Sequence, residues 1–291
     1  MDPVKKSLVT LHLAVVLLGG TGLFSKIIPL NAIDITLGRS LFACLALCLF
    51  VRAGREHLRL ERRLDYFIAV GLGVLMAAHW ATYFASMQYA GVSVGMIAMF
   101  TFPVITVLLE PLFEKTRLAW QDMLSALVVV IGIVLIVPEI SLDNDVTLGV
   151  GLGVISAVLY AVRNLSLRKY FSHYSGARSM AWQTLIIVLC LLPFSDLTST
   201  QQDTSVWLLL LALGTAFTAL PHALVANSLA HLRAKTFSLI ACMQPFYGVI
   251  FAIILLNESP GWQTLLGGIL VTSASIYETV NTHKSASATN E

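Results

Sequence analysis

The sequence predicts an all-α, polytopic membrane protein: ten transmembrane helices forming two inverted five-helix repeats, with the N and C termini cytoplasmic. Three observations carry that prediction. The chain holds ten apolar stretches of about 20 residues, each long enough to cross a ~30 Å hydrocarbon core as a helix. Of its 18 Lys and Arg residues, all but Lys26, Arg39 and Arg163 precede the first stretch, follow the last, or fall in alternate gaps between. The second half also matches the first at a constant offset.

The first stretch, 8–28, follows Lys5 and Lys6. It is about twice as long as a signal-peptide apolar core and lacks a small-residue cleavage site, so it reads as a retained span. Stretches 33–53 and 66–88 flank Arg52, Arg55, Arg59, Arg62 and Arg63; stretches 92–113 and 119–137 flank Lys115 and Arg117. Stretches 147–168 and 178–195 flank Arg168, Lys169 and Arg178, stretches 206–230 and 234–256 flank Arg233 and Lys235, and 260–280 precedes Lys284. The positive-inside rule puts all of these loops in the cytoplasm. The opposite gaps carry Asp34, Glu139, Asp143, Asp145, Asp196, Asp203 and Glu258, so the two faces differ in charge. The small, polar segment 281–291 is expected to be a disordered cytoplasmic tail.

Composition agrees with this class: 57% of residues are hydrophobic, 12% are charged, and the mean hydropathy is +0.82. The net charge of +2 does not indicate a nucleic-acid partner. The basic residues are spread over separate loops beside lipid headgroups, with no interleaved basic and aromatic residues. Cys44, Cys48, Cys190 and Cys242 all lie inside spans, where they read as packing residues.

An offset of about 142 residues superposes Pro103 on Pro245, Trp120-Gln121 on Trp262-Gln263 and Leu47-Cys48 on Leu189-Cys190. The repeats are then 1–138 and 147–280. Five spans per repeat is an odd number, so the second copy enters the membrane from the opposite side, the design of many secondary transporters.

Polar groups inside spans are expensive and mark candidate sites. Arg39 lies about six residues into its span, roughly 9 Å down the helix axis. It reads either as a solute-binding cation or as an anchor bonded to carbonyls or Asp34. Lys26 and Arg163 either snorkel or face a cavity. Ser156, Tyr160, Arg163 and Asn164 recur at helical spacing and form one stripe. His79 and Tyr83 share a face beside Trp80, and at the same offset Trp80 meets His222, with Asn227 at similar depth. Gln244 and Tyr247 flank Pro245 in the ninth span, and Trp182 and Gln183 lie in the seventh. The expected binding residues are therefore Arg39, His79, Trp80, Tyr83, Tyr160, Asn164, His222, Gln244 and Tyr247. Pro103 and Pro245, in mid-span, are expected to bend their helices as gate hinges or static kinks. An aromatic wall with few hydrogen-bonding groups suits an organic solute, and the lack of mid-depth carboxylates argues against a metal or Na⁺ site.

The ten spans, the short connection Tyr89-Ala90-Gly91-Val92 and the repeated proline spans resemble the drug/metabolite transporter superfamily, EamA type. The features that carry the likeness are Arg39, the segment Phe84-Ala85-Ser86-Met87-Gln88-Tyr89-Ala90, Pro103 with Glu114, and Pro245 with Asn257-Glu258. The resemblance covers residues 8–280. It implies alternating access for small organic metabolites through a cavity lined by spans one to four and six to nine, with spans five and ten outside. Two departures stand out. Position 181, opposite Arg39, is Ala, and Glu114 and Glu258 are spaced differently from Trp120 and Trp262.

The expected function is secondary active transport of an amino acid, nucleoside-like or vitamin-like solute across an inner membrane, without a cofactor. Arg39 would attract an anionic or carbonyl group. The alternative is an intramembrane enzyme acting on a lipid-linked substrate, which the absence of His-Glu-x-x-His, a paired-aspartate signature and Gly-x-Ser-x-Gly disfavours. A channel is disfavoured by the inverted repeat and the lack of a charged ring. No phosphate-cradling loop indicates ATP coupling. Gly91-x-x-x-Gly95 and Gly149-x-x-x-Gly153 are compatible with a homodimer but weak evidence for one.

Overall fold

The computed structural model describes residues 3–113, 118–137, 144–197, 202–229 and 240–288; the side chains of 3–5, 226–229, 279 and 281–288 fall outside that description. Glu114, Lys115, Arg117, Glu139, Asp143, Arg233, Lys235 and the side chain of Asn227 are therefore not described. Among the described residues every regular element is helical. In the first repeat the helices are α1 (Pro3–Gly20), α2 (Phe24–Ile27), α3 (Ala32–Ala53), α4 (Arg63–Ala90), α5 (Val92–Met99), α6 (Phe102–Phe113) and α7 (Trp120–Ile136). In the second they are α8 (Asp145–Tyr170), α9 (Gly176–Leu191), α10 (Thr204–Gly214), α11 (Leu220–Leu229), α12 (Gln244–Leu256) and α13 (Trp262–Ala288). Seven helical stretches are long and apolar enough to cross a membrane; α7 and α12 are shorter apolar helices. With α13 they supply the ten spans.

Helix ends are set by local chemistry. At the start of α3, the Asn31 side chain accepts the Asp34 amide at 2.9 Å. Ser175 does the same for the Arg178 amide at the start of α9, at 3.3 Å. Gly91, at φ 90°, separates α4 from α5, a conformation that only glycine adopts without strain. At its far end α13 runs to Ala288. No Gly or Pro interrupts residues 281–288, and the alanines there favour continued helix.

The packing repeats under exchange of the two halves. Helix α4 lies along α8 as α1 lies along α11; α5 and α6 pack on α8 as α12 packs on α1; α4 packs on α9 as α10 packs on α3. Two pairs are their own counterparts, α3 with α9 and α7 with α13. Glycines bring these helices together, as membrane packing requires when apolar contact alone does not distinguish protein from lipid. A Cβ on Gly73 would lie 2.4 Å from Ile186 Cβ, and one on Gly214 would lie 2.5 Å from the Arg39 carbonyl oxygen. The outlying α7 and α13 meet at Gly132 and Gly267, where a Cβ on Gly267 would lie 2.5 Å from the Gly132 carbonyl. Trp120 and Trp262 open α7 and α13 with their rings exposed, one beside the basic loops and one beside the acidic loops, which places each at a membrane interface.

Matching ties close the loops on both faces. On the acidic face Asp34 accepts from the Ser195 hydroxyl and the Asp196 amide. On the basic face the Ser175 hydroxyl donates to Glu56, and Tyr174 donates to Asp65 at 2.6 Å. Toward the acidic face the bundle is filled by Phe24, Ile35, Phe84, Met87, Met96 and Leu210, all buried.

Candidate functional site

Proline chemistry shapes the centre of the bundle. The ring of a proline clashes with the carbonyl four residues earlier and supplies no N–H, so a helix running into it stops there. The last residue of α5 is Met99, four before Pro103, and residues 100–101 form a turn before α6. In the second repeat the helix stops at Ala241, four before Pro245, and residues 242–243 form the turn before α12. The structure thus places a two-residue turn at each proline, and in the first repeat that turn lies inside one membrane-length helical stretch, Val92–Phe113. The turns lie at the same place in both repeats.

The two breaks face a cavity of about 310 Å³. Of the residues expected to bind solute, Arg39, His79, Trp80, Tyr83, Tyr160, Asn164, His222 and Gln244 line it, and so does Pro103. Tyr247 does not; it packs with Leu11, Val15 and Ile240, and its Cβ would lie 2.9 Å from a Cβ on Gly19. Pro245 is buried behind its own break. The wall also includes Thr21, Met76, Phe100, Phe102 and Cys242, which ordinary apolar spacing does not distinguish from packing residues.

Rings dominate the wall. His79 stacks on Tyr160 with centroids 4.6 Å apart, Phe102 meets Tyr160 edge-on at 4.9 Å, and Phe100 meets Phe102 at 5.5 Å. His79 is fixed by Ser156, whose hydroxyl lies 2.7 Å from Nδ1 and whose carbonyl oxygen lies 3.0 Å away. Ser156 therefore holds Nδ1, while the ring face stacks on Tyr160.

Arg39 is 3% exposed. Its Nη2 donates to Thr218 Oγ1 at 2.9 Å, and the Thr218 hydroxyl donates to the Leu213 carbonyl at 2.6 Å. The Arg39 Nε has no hydrogen-bond partner. The guanidinium carbon sits 4.0 Å from the centre of the Trp80 ring and 5.1 Å from that of Phe84. Asp34 is engaged elsewhere, so the expected alternative of an Asp34 anchor is not what holds Arg39. Thr218 lies 179 residues away in sequence and in a π-helical turn, Thr215–Ala219; nothing in the sequence pattern links it to Arg39.

Neither the buried Arg163 nor the exposed Lys26 is among the described residues that line the cavity. Arg163 stands behind Asn164: its Nε donates to Gln183 at 2.7 Å, Nη1 to Asn164 Oδ1 at 2.8 Å and Nη2 to Met180 Sδ at 3.4 Å. It orients Asn164, and Gln183 serves it instead of the cavity. Lys26 reaches the end of α4 and donates to the Gln88 carbonyl at 2.7 Å. Trp182 donates to the Leu58 carbonyl at 2.8 Å, away from the cavity.

The acidic face above the cavity is held by Glu258, which the pattern at Asn257-Glu258 marked without indicating its role. Asn257, at φ 54°, ends α12 in the left-handed conformation. The carboxylate of Glu258 then accepts the Val92 amide at 2.7 Å, the Ser93 amide at 3.1 Å and the Ser93 hydroxyl at 2.8 Å. A side chain of the second repeat thereby caps α5 of the first, where the helix dipole favours negative charge.

The model of the EamA-like transporter family matches residues 5–137 and again 147–277. The "Uncharacterized transporter YxxF" of Bacillus subtilis (strain 168) is 23% identical over 297 residues, covering 98% of this chain and 93% of that protein. A solved crystal structure, 14% identical, superposes with a TM-score of 0.67 over 96% of this chain and 98% of its own, a likeness of fold alone.

Proposed function

Because the chain belongs to the EamA-like transporter family, we propose that it is a secondary active carrier, multi-pass in an inner membrane, that binds a small organic metabolite between its repeats and exposes it to each side in turn. The observation that carries this reading is the pair of helix breaks at 100–101 and 242–243, one from each repeat, facing one cavity in mid-bundle. A broken helix can pivot at its turn without unmaking its two halves. Pro103 and Pro245 are the hinges in this scheme, and the Glu258 cap on α5 is the tie that must release when the acidic face opens. Trp80, Tyr83, Tyr160 and His79 hold the solute by ring contact; Arg39, Asn164, His222 and Gln244 give it direction.

Reconstitution into liposomes tests the proposal. Counterflow with labelled amino acids, nucleosides, aromatic acids and amines is expected to give saturable exchange of at least one class. If no class moves under either gradient direction, and none stabilises the protein, the carrier reading fails.

A further inference from the structure

We propose that the solute is an aromatic or heteroaromatic carboxylate bearing a single negative charge, whose carboxylate serves as the counter-ion of Arg39; the inference rests on the carrier reading above and names its substrate class.

The first support is an imbalance of charge. Among the described residues the cavity wall carries one guanidinium and no carboxylate. A buried cation without a partner costs several kcal/mol, and ring stacking of the kind Trp80 offers returns about 2 kcal/mol at best. Thr218 contributes one neutral acceptor, and Nε is left with none. Five acids described in the bundle are committed elsewhere, and the buried Glu278 bonds Ser125 between α13 and α7, outside the cavity wall. Asp34 ties the acidic loop, Asp65 caps α4, Glu110 pairs with Arg168, Asp122 caps α7 and Glu258 caps α5. The segment 230–239 contains no Asp or Glu. Arg163, behind the wall, has only neutral partners as well, so a second positive charge adds to the field in the cavity.

The second support is which polar groups remain. An ammonium group on the solute would need a carboxylate or a free acceptor. Asn164 Oδ1 is taken by Arg163, and His79 Nδ1 is engaged by Ser156; the acceptors that remain in the wall, on Gln244, His222, Tyr83 and Tyr160, are all neutral and cannot balance an ammonium charge beside Arg39. With Arg39 close by, a zwitterionic amino acid gains a carboxylate contact and loses its ammonium hydration without return. A simple acid loses nothing of that kind. The rings of Trp80, Tyr160, Phe100 and Phe102 then take the solute's flat face. The volume of about 310 Å³ fits one or two rings, at the small end of ligand cavities.

The test uses the full-length protein in nanodiscs and four probes of nearly equal size: phenylacetate, phenylacetamide, phenethylamine and phenylalanine. Binding is read by titration calorimetry and by the thermal midpoint. Phenylacetate is expected to bind at least about tenfold more tightly than the amide, the amine or the amino acid. Arg39→Gln should erase that preference and Arg39→Lys should retain part of it, which separates loss of charge from loss of fold. Absence of phenylacetate binding, equal binding of the amide or amine, or an unchanged preference in Arg39→Gln would each overturn the inference. Counterflow on the same protein keeps the two readings apart. Exchange confined to neutral or cationic solutes sinks the anion site and leaves the carrier; carboxylate binding without exchange of any solute sinks the carrier and leaves the anion site.

Discussion

At the same point in each repeat the membrane helix stops for two residues, Phe100-Thr101 in the first and Cys242-Met243 in the second, yet the side chains around the two breaks differ. Arg39 faces the cavity from the first repeat, and its counterpart position holds Ala181, packed with Met180 and Ile187 away from the wall. Trp80 corresponds to His222, and both line the cavity. Backbone geometry has been kept in both copies while cavity chemistry has diverged. On the proposed carrier reading, alternation between two faces needs two equivalent hinges, whereas one solute on the pseudo-symmetry axis needs only one set of contacts.

The comparison breaks most severely at the glycine crossings. Gly73→Leu and Gly214→Leu, one residue apart in repeat register, should each destabilise the protein by about 3 kcal/mol or more, because Ile186 and the Arg39 backbone have no room to retreat. Unfolding in mild detergent measures both. A large effect at only one would mean that the two interfaces between repeats are not equivalent.

Next in size is the acidic-face tie. Glu258→Ala removes three acceptor contacts from the start of α5 and is expected to cost about 1–2 kcal/mol. Cysteines placed near Gly91 should then label faster from that face, and an unchanged labelling rate would remove Glu258 from the gate. Pro103→Ala and Pro245→Ala come third. Each restores one backbone donor, worth about 1 kcal/mol, so stability should hold or rise while exchange slows with affinity nearly unchanged. Equal slowing supports symmetric hinges; slowing in one alone shows that a single repeat moves. Smallest is Gly151→Ala, where no atom lies within 4 Å of the new Cβ, and a gain below about 1 kcal/mol is expected. The neighbouring Gly149 is the control, since its Cβ would lie 2.8 Å from the Ala90 nitrogen.

The cavity wall was partly legible because charge, histidine and amide groups inside apolar spans are conspicuous. Thr21 and Phe102 were not, since hydroxyl and phenyl groups inside a span are ordinary. Tyr247 is the converse case, expected in the wall and placed outside it. Three residues from Gln244, it shares that helix, yet it turns to α1, where Gly19 leaves space for it.

What the sequence by itself determined is the solvent: apolar length sets the spans, loop charge sets their direction, and an odd number of spans per copy sets the inversion. The proline positions also determined where two helices are disturbed, because the clash with the fourth preceding carbonyl is local. Which groups meet was decided only by tertiary structure. Arg39 with Thr218, Arg163 with Gln183, and Glu258 with α5 join distant segments whose approach depends on how ten helices pack, and helix periodicity records which face a residue occupies without recording what that face meets.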